Sequence, residues 1–140
     1  MTTPKPRSLD WLLDDLVARL PDVRFAIVLS TDGLLLGHCS SMEQPDAERF
    51  GAMASTLQGV ARSAGAHFDV GGVSQTVVEL DEAVLFVTSA GDNTCLALLT
   101  VETANMGMVA YEMNQTVQRV GAHLSIDPRP AWDEAGSRQP

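Results

Sequence analysis

The chain has 140 residues, 45% of them hydrophobic, which is enough for one domain with a sizeable core. With 18 acidic against nine basic residues the net charge is −9, so no basic face can be assembled for binding nucleic acid or an anionic membrane. The apolar runs are too short to span a membrane and no signal-peptide pattern is found, so we expect a cytoplasmic protein whose recruitment to a membrane, if it occurs, goes through partners.

The first element in chain order is predicted to be a helix. Residues 1–7 contain two prolines and little apolar content, so we expect a flexible tail before a folded domain of residues 8–126. Ser8 is a good N-cap, and Pro21 stops the helix. The core stripe of this helix consists of five leucines: Leu9, Leu12, Leu13, Leu16 and Leu20. Trp11 lies on the opposite side.

A hairpin of two strands follows this helix. Residues 23–30 are predicted as the first strand and residues 34–38 as the second, because Thr31-Asp32-Gly33 between them is a turn sequence. The first strand is apolar on both of its faces, which indicates that helices cover both sides of the sheet.

The most informative segment is a helix predicted from about Pro45 to Ala64, because it has two faces of low polarity. One face carries the i, i+3, i+4, i+7 spacing of a core contact: Phe50, Met53, Ala54, Leu57, Val60, Ala61 and Ala64. The opposite face carries a small residue at every fourth position: Ala47, Gly51, Ser55, Gly59 and Ser63. Glycine inside a helix costs up to about 1 kcal/mol relative to alanine, and small residues in register let another helix approach closely. We therefore predict that this second face contacts a partner; neutral drift in an alanine-rich chain is the alternative.

Three strands and a last helix complete the domain. The strands follow a glycine-rich link that ends at Gly71-Gly72, and they are predicted at three places: residues 73–79, 83–89 and 94–101. The last helix, from about Thr103 to Ala122, is predicted to present six residues inward: Met106, Val109, Ala110, Met113, Val117 and Val120. Residues 127–140 are predicted to be a disordered tail.

The resulting order, α-β-β-α-β-β-β-α, predicts an α/β (α+β) fold with a five-stranded antiparallel sheet, since the turns are too short for parallel crossovers. The third strand differs from the others because it is β-branched but polar, with Gln75 and Glu79 interrupting Val73 and Val77. Such a strand suits a sheet edge that pairs with another chain.

Residue patterns that would carry catalysis or metal binding are weak in this sequence. The three histidines lie in separate segments, and neither Cys39 nor Cys95 has a ligand at metal spacing, so we expect buried thiols, no metal and no cofactor. No serine sits in a strand-to-helix nucleophile elbow. Gly71-Gly72 lacks the lysine and the following helix of a phosphate loop. We therefore predict no catalytic residue and no enzyme activity.

A family resemblance is carried by the small-residue helix and by three segments: LDWLLDDLVARLPDVRFAIVLSTDGLLLG, GGVSQTVVELDEAVLFVTSAGDNTCLALL and GMVAYEMNQTVQRVG. Together they resemble a bacterial roadblock/LC7 domain over roughly Ser8 to Ile126. Most of the match comes from Thr31-Asp32-Gly33 after an apolar strand and from residues 75–79 after a double glycine. More narrowly, the chain is similar to the actinobacterial roadblock proteins that are encoded beside a small Ras-like GTPase in conservon-type operons.

The resemblance implies that the central helix lies on one face of the sheet and the two terminal helices on the other. It also implies a homodimer joined third strand to third strand and central helix to central helix, in a family that regulates or scaffolds GTPases and does not hydrolyse nucleotide itself. The predicted dimer interface is formed by eight residues: Ala47, Gly51, Ser55, Gly59, Val73, Gln75, Val77 and Glu79. The predicted partner-binding residues are Glu48, Gln58 and Arg62, at the rim of a groove between the paired helices.

Three classes of function remain open at this stage. The leading one is a non-catalytic homodimeric regulator or scaffold of a small Ras-like GTPase, which includes a GTPase-activating or adaptor role in signalling. The alternative is a sensory module of related, profilin-like α/β architecture, which would need a ligand pocket lined by the sheet. The third is an enzyme whose site the sequence does not reveal. A gene for a Ras-like GTPase beside this one would distinguish the first class from the others.

Overall fold

The computed structural model of the protein describes residues 9–91 and 93–125, which form eight elements in the predicted order. The helices are α1 (Asp10–Arg19), α2 (Gln44–His67) and α3 (Met106–Ser125). The strands are β1 (Val23–Ser30), β2 (Leu35–His38), β3 (Gln75–Glu79), β4 (Ala83–Ser89) and β5 (Thr94–Val101). The predicted tails, residues 1–7 and 127–140, lie outside the described residues, so these boundaries stay predictions.

The five strands form one antiparallel sheet in the order β2-β1-β5-β4-β3. β1 and β5 lie at its centre and pair from Val23 with Thr100 to Ser30 with Thr94. This position explains why both strands are apolar on both faces, since each face is covered by a helix. The predicted fold is confirmed, and so is the prediction that the third strand lies at an edge of the sheet.

Two neighbouring residues of β3 show that α2 and α3 cover opposite faces of the sheet. The side-chain nitrogen of Gln75 lies 3.9 Å from the sulfur of Met113 in α3. The hydroxyl of Thr76 donates a 2.8 Å hydrogen bond to Gln58 in α2. Because successive strand residues point to opposite faces, α2 lies on one side of the sheet and α3 on the other. α1 packs beside α3, to which the Arg119–Asp15 ion pair joins it at 2.7 Å.

The α1/α3 layer follows the predicted pattern with two exceptions. All five leucines of the α1 stripe are buried, and Trp11 is half exposed on the other side. In α3 the buried residues include Val109, Met113 and Val120, but Met106 and Ala110 are exposed, so their inward placement was wrong. Both lie beside the buried row of α3, which recurs every three or four residues from Val109 to Val120. Ser8, the predicted N-cap of α1, lies outside the described residues, and Leu9 occupies the N-cap position.

The orientation of α2 differs from the prediction, because its buried side takes residues from both predicted faces. Ala47 and Gly51 of the small-residue face are buried there, together with Phe50 and Ala54 of the predicted core stripe. A methyl group at Gly51 would lie 3.8 Å from both the Ile27 side chain and the Gly33 carbonyl oxygen, so the helix and the sheet approach closely at this point. Small residues permit that approach. Two residues of the predicted core stripe, Met53 and Val60, are instead 52% and 65% exposed.

None of the helices in the described ranges is both long and apolar enough to cross a membrane.

Candidate functional site

The outward side of α2 carries an apolar flank, defined here as Met53, Leu57, Val60 and Ala64. These residues recur every three or four positions, so they lie on one side of the helix. Met53, Val60 and Ala64 are exposed and Leu57 is half-buried. Exposed apolar residues that cluster in this way are typical of a surface covered by another protein.

The apolar flank faces the edge of the sheet formed by β3. Near the first half of α2, a groove of about 410 Å³ lies between Arg49 and Met53 of the helix and Leu80 and Leu85 of the sheet. Near the end of α2, a cavity of about 470 Å³ is lined by Ala64 and Phe68 together with the segment 70–75. β3 pairs with β4 on one side only. The flank and the outer edge of β3 therefore form one continuous surface.

The two edges of the sheet differ in whether side chains cover their outward backbone groups. At β2, the backbone N–H of Cys39 donates to Ala26 in β1, so the neighbouring N–H groups of His38 and Ser40 point away from the sheet. Carboxylates of α1 accept both of these outer donors, Asp10 from His38 at 2.9 Å and Asp14 from Ser40 at 2.7 Å. At β3, the described residues provide no such cover. An edge that is not covered is where a second chain can pair.

Gln58 does not lie at the rim of a groove, so its assignment as a partner-binding residue was wrong. Its side chain is 2% exposed between α2 and the sheet. The amide oxygen accepts the hydrogen bond from Thr76, and the amide nitrogen lies 3.7 Å from the sulfur of Cys95. A buried amide needs such partners, because an unpaired polar group in the interior is costly. Gln58 thus ties the helix to the edge strand and to the centre of the sheet.

The small residues on α2 pack against the hairpin turn between β1 and β2. The hydroxyl of Ser55 donates a 3.1 Å hydrogen bond to the carbonyl of Thr31, and a methyl group at Gly33 would contact Ser55 at 3.5 Å. Ala47 and Gly51 are buried between α2 and the sheet. These two residues therefore cannot form the predicted dimer contact, whereas Ser55 is half-buried and its hydroxyl is already bonded within the subunit.

The remaining predicted site residues are accessible. Gly59 is half-buried, whereas Glu48 and Arg62 are exposed on the side of α2 that lies away from β3. Glu48 accepts a 2.9 Å hydrogen bond from Gln44 one turn earlier. On the edge strand, Gln75, Val77 and Glu79 are exposed.

Val73, the last of the predicted interface residues, is half-buried and precedes β3, which begins two residues later than predicted. Its carbonyl accepts a hydrogen bond from the Ser89 hydroxyl at 3.1 Å. The edge strand is therefore anchored to β4 at its start by a side chain as well as by the backbone ladder.

Sequence reasoning missed two contributors to this surface. Phe68 and Val70, just beyond the end of α2, are 69% and 75% exposed. They were read as part of a glycine-rich link, although two large apolar residues between Gly65 and Gly71 are unusual in a solvated loop. Asp69 between them has a φ of 58°, which holds the chain in a tight reversal after the helix.

The electrostatic features lie around this surface rather than in it. Burial raises the pKa of the Cys95 thiol, which is consistent with a structural role beside Gln58. The hydrogen bond from the Ser30 hydroxyl lowers the pKa of Asp32 in the hairpin turn. The pKa of Asp15 is lowered chiefly by its hydrogen bond with Arg119.

The described residues contain no group of three or more histidine, cysteine or acidic side chains that could hold a metal ion. The features that do converge are apolar side chains, one uncovered strand edge and two recesses beside it. Apolar side chains beside an uncovered strand edge are typical of a surface that recognises another protein.

The family of the chain follows from comparison with known proteins. The model of the Roadblock/LC7 domain matches residues 9–100, which include α1, α2 and nearly all of the sheet. The chain therefore belongs to the Roadblock/LC7 domain family, as the sequence resemblance had indicated.

The chain is also similar to solved structures and to a curated relative. A Roadblock/LC7 domain from Streptomyces avermitilis is 42% identical, with a TM-score of 0.81 over 84% of this chain and 98% of that one. The gliding protein MglB from Thermus thermophilus shares the fold at 15% identity, with a TM-score of 0.74 over 88% of this chain and 94% of that one. The protein MJ1340 of Methanocaldococcus jannaschii is 28% identical over 100 residues, 71% of this chain and 86% of that protein.

Proposed function

We propose that this protein is a non-catalytic homodimeric regulator or scaffold of a small Ras-like GTPase, acting in the cytoplasm. One observation supports the homodimer: the uncovered edge of β3 lies beside the apolar flank of α2, whereas Asp10 and Asp14 cover the β2 edge. Membership of the Roadblock/LC7 family supports the role as a GTPase regulator, since the resemblance implies regulation of GTPases without nucleotide hydrolysis.

In the proposed dimer, two copies pair through β3 and pack through α2 about a two-fold axis. Antiparallel pairing of residues 75–79 with the same residues of the second copy gives a continuous ten-stranded sheet. The helix contact uses Met53, Leu57 and Val60 in place of the predicted small residues, because these apolar side chains are the ones left uncovered. Burial of apolar surface contributes about 25 cal/mol per Å², so the flank favours association.

The dimer is tested by its mass in solution. Light scattering during chromatography should report about twice 15.0 kDa for the wild-type protein. Val60→Glu places a charge in the helix contact and should shift the protein towards monomer. Ala52→Glu, an exposed change about 100° around α2 from Met53, is the matched control and should leave the dimer intact. A wild-type monomer at high micromolar concentration would refute the proposal.

The GTPase contact is proposed for the side of α2 that carries Glu48 and Arg62. Both side chains are exposed, and exposed charges steer transient encounters more than they add affinity. A GTPase docking here would recognise the dimer rather than one subunit. Any acceleration of GTP hydrolysis would then come from repositioning the catalytic groups of the GTPase itself.

Binding of a Ras-like GTPase encoded beside this gene, in its GDP and GTP forms, tests this contact. Arg62→Glu should weaken binding and reduce its salt dependence without changing the mass of the dimer. Equal binding of wild type and variant, with equal salt dependence, would place the GTPase on another face. The surface of α1 and α3 with Trp11 and Tyr111 is then the next candidate.

A further inference from the structure

Two apolar features occupy opposite ends of the β3 edge. At the end of β3 lies the Met53 groove, the recess of about 410 Å³ lined by Met53, Leu80 and Leu85 among others. At the start of β3 lies the Phe68 projection, formed by Phe68 and Val70, which are 69% and 75% exposed. One feature is a recess and the other protrudes, and neither is covered within the subunit.

A two-fold axis beside the middle of β3 places the Met53 groove of one copy opposite the Phe68 projection of the other. The hydrogen bond between Gln58 and Thr76 places the middle of α2 over the middle of β3. When β3 pairs antiparallel with its copy, the start of one strand faces the end of the other. The two α2 helices then also run antiparallel, so the end of one helix lies near the first half of the other.

From this geometry we infer that the Phe68 projection of each subunit inserts into the Met53 groove of the second copy. The inference rests on the proposed dimer and specifies which side chains make it. The contact occurs twice, once on each side of the axis, because a two-fold interface repeats every contact. The occupant of the groove is therefore a second copy of this chain, not a small molecule.

A local pair of opposite charges supports this choice of occupant. Arg49 is the single cation among the described residues that line the groove, and no ion pair of Arg49 is found within the described part of the subunit. Asp69 directly follows Phe68 and is exposed. When Phe68 enters the groove, the carboxylate of Asp69 arrives at the rim where Arg49 lies. Glu43 and Asp46 also line the groove, so the proposed pair is a local one between Asp69 and Arg49 and not a match of net charge.

A disulfide cross-link tests the contact directly. In one subunit, residues 53 and 68 are separated by 15 positions of α2, about 22 Å along the helix, whereas a disulfide needs Cα atoms within about 7 Å. The double variant Met53→Cys/Phe68→Cys can therefore cross-link only between subunits. Under mild oxidation it should run as a covalent dimer on a non-reducing gel, and each single variant should run as a monomer. Ala52→Cys/Phe68→Cys is the control pair and should cross-link much less, because the side chain of Ala52 projects about 100° around the helix from that of Met53.

A dissociation measurement provides a second and independent test. Phe68→Ala should raise the dissociation constant of the dimer at least tenfold, while Tyr111→Ala, a similarly exposed aromatic residue on α3, should leave it unchanged. Arg49→Asp should weaken the dimer, and adding Asp69→Arg to the same chain should restore much of the loss.

The outcomes separate this inference from the proposed function. A wild-type dimer that neither cross-links through residues 53 and 68 nor weakens with Phe68→Ala would overturn the inference and leave the dimer standing. A wild-type dimer that binds an apolar fluorescent dye such as anilinonaphthalene sulfonate as strongly as Phe68→Ala does would show an open groove and overturn it too. A monomeric wild type would refute both the inference and the proposed dimer.

Discussion

Thr76 and Gln58 are joined by a hydrogen bond of 2.8 Å, although one lies on the edge strand β3 and the other in the middle of α2. Gln58 is 2% exposed, so the bond lies inside the subunit and not at its surface. It connects the two elements that form the proposed dimer surface. The position of the helix relative to the strand edge is therefore set by a polar pair in an otherwise apolar layer.

Removing one partner of this pair should cost more than removing both. Thr76→Val leaves the amide oxygen of Gln58 buried and unpaired, which should lower the free energy of unfolding by about 1–3 kcal/mol. Gln58→Met has a similar effect on the Thr76 hydroxyl. The double variant Thr76→Val/Gln58→Met should recover part of the loss, since apolar groups of similar shape then replace both partners. Urea denaturation of the four proteins measures the coupling; strictly additive losses would mean that the bond contributes nothing.

Two glycines of α2 should respond in opposite ways to a methyl group. In Gly65→Ala the new carbon would overlap the backbone oxygen of Gly71, so the chain reversal after the helix must shift. We expect a loss of about 1–3 kcal/mol, as in other overpacked interiors. In Gly59→Ala the nearest atom is the flexible end of Arg62 at 3.9 Å, so the higher helix propensity should add up to about 1 kcal/mol. Thermal unfolding of both variants tests this pair, and a stabilised Gly65→Ala would contradict it.

A buried hydroxyl on α3 should be dispensable. Thr116 is fully buried, and its hydroxyl has no hydrogen-bond partner among the residues that the structure describes. Thr116→Val keeps the β-branched shape and removes the unpaired polar group, so it should raise the free energy of unfolding by about 1 kcal/mol.

The matched control for Thr116 is Thr100, which is equally buried. Its hydroxyl donates to the carbonyl of Val101 at 3.1 Å and lies 3.4 Å from that of Val84. Thr100→Val should therefore destabilise the protein by about 1 kcal/mol, because two carbonyl contacts are lost. Equal and opposite shifts in the urea midpoint are expected, and a destabilised Thr116→Val would show that its hydroxyl is satisfied.

The stability contributed by Asp15 should depend on pH. Arg119 at 2.7 Å and Arg19 at 3.0 Å lower the pKa of this carboxyl. A lowered pKa in the folded state means that the contribution is fully present above the unfolded pKa of about 3.9 and is lost as the pH falls through the folded pKa. Since the side chain is 39% exposed, we expect no more than about 1 kcal/mol.

Asp15→Asn tests this dependence against the wild type. The two proteins should differ in free energy of unfolding at pH 7 and converge as the pH drops below 4. In an Arg119→Gln background the difference at pH 7 should shrink, because the largest cause of the lowered pKa is then absent. A difference that grows towards acid pH would contradict the assignment.

The strands of this fold were predictable because their signals are local. Residues 23–30, 83–89 and 94–101 form strands with the predicted bounds, since each is an apolar, β-branched run between turn sequences. The polar pattern of Gln75 and Glu79 also identified the edge strand correctly.

The faces of α2 were not predictable from the same kind of pattern. Periodicity shows that a helix has two faces of low polarity, but it does not show which one packs on the sheet. The structure buries a side that lies between the two, with Ala47 and Gly51 from one face and Phe50 and Ala54 from the other, while Met53 and Val60 are exposed. Gln58 was misplaced for a related reason, because a polar residue is expected at the surface unless its buried partners are known. Those partners, Thr76 and Cys95, are distant in sequence.

The carboxylates of Asp10 and Asp14 limit strand pairing at the β2 edge. A sheet with two uncovered edges can add copies on both sides and grow into a filament. Here two donors of the β2 edge are already taken within the subunit, so after the proposed pairing through β3 the remaining edge disfavours a further strand. We therefore expect the proposed assembly to stop at two copies. Asp14→Ala frees the Ser40 amide. This variant should keep the fold but become more prone to fibrous aggregation.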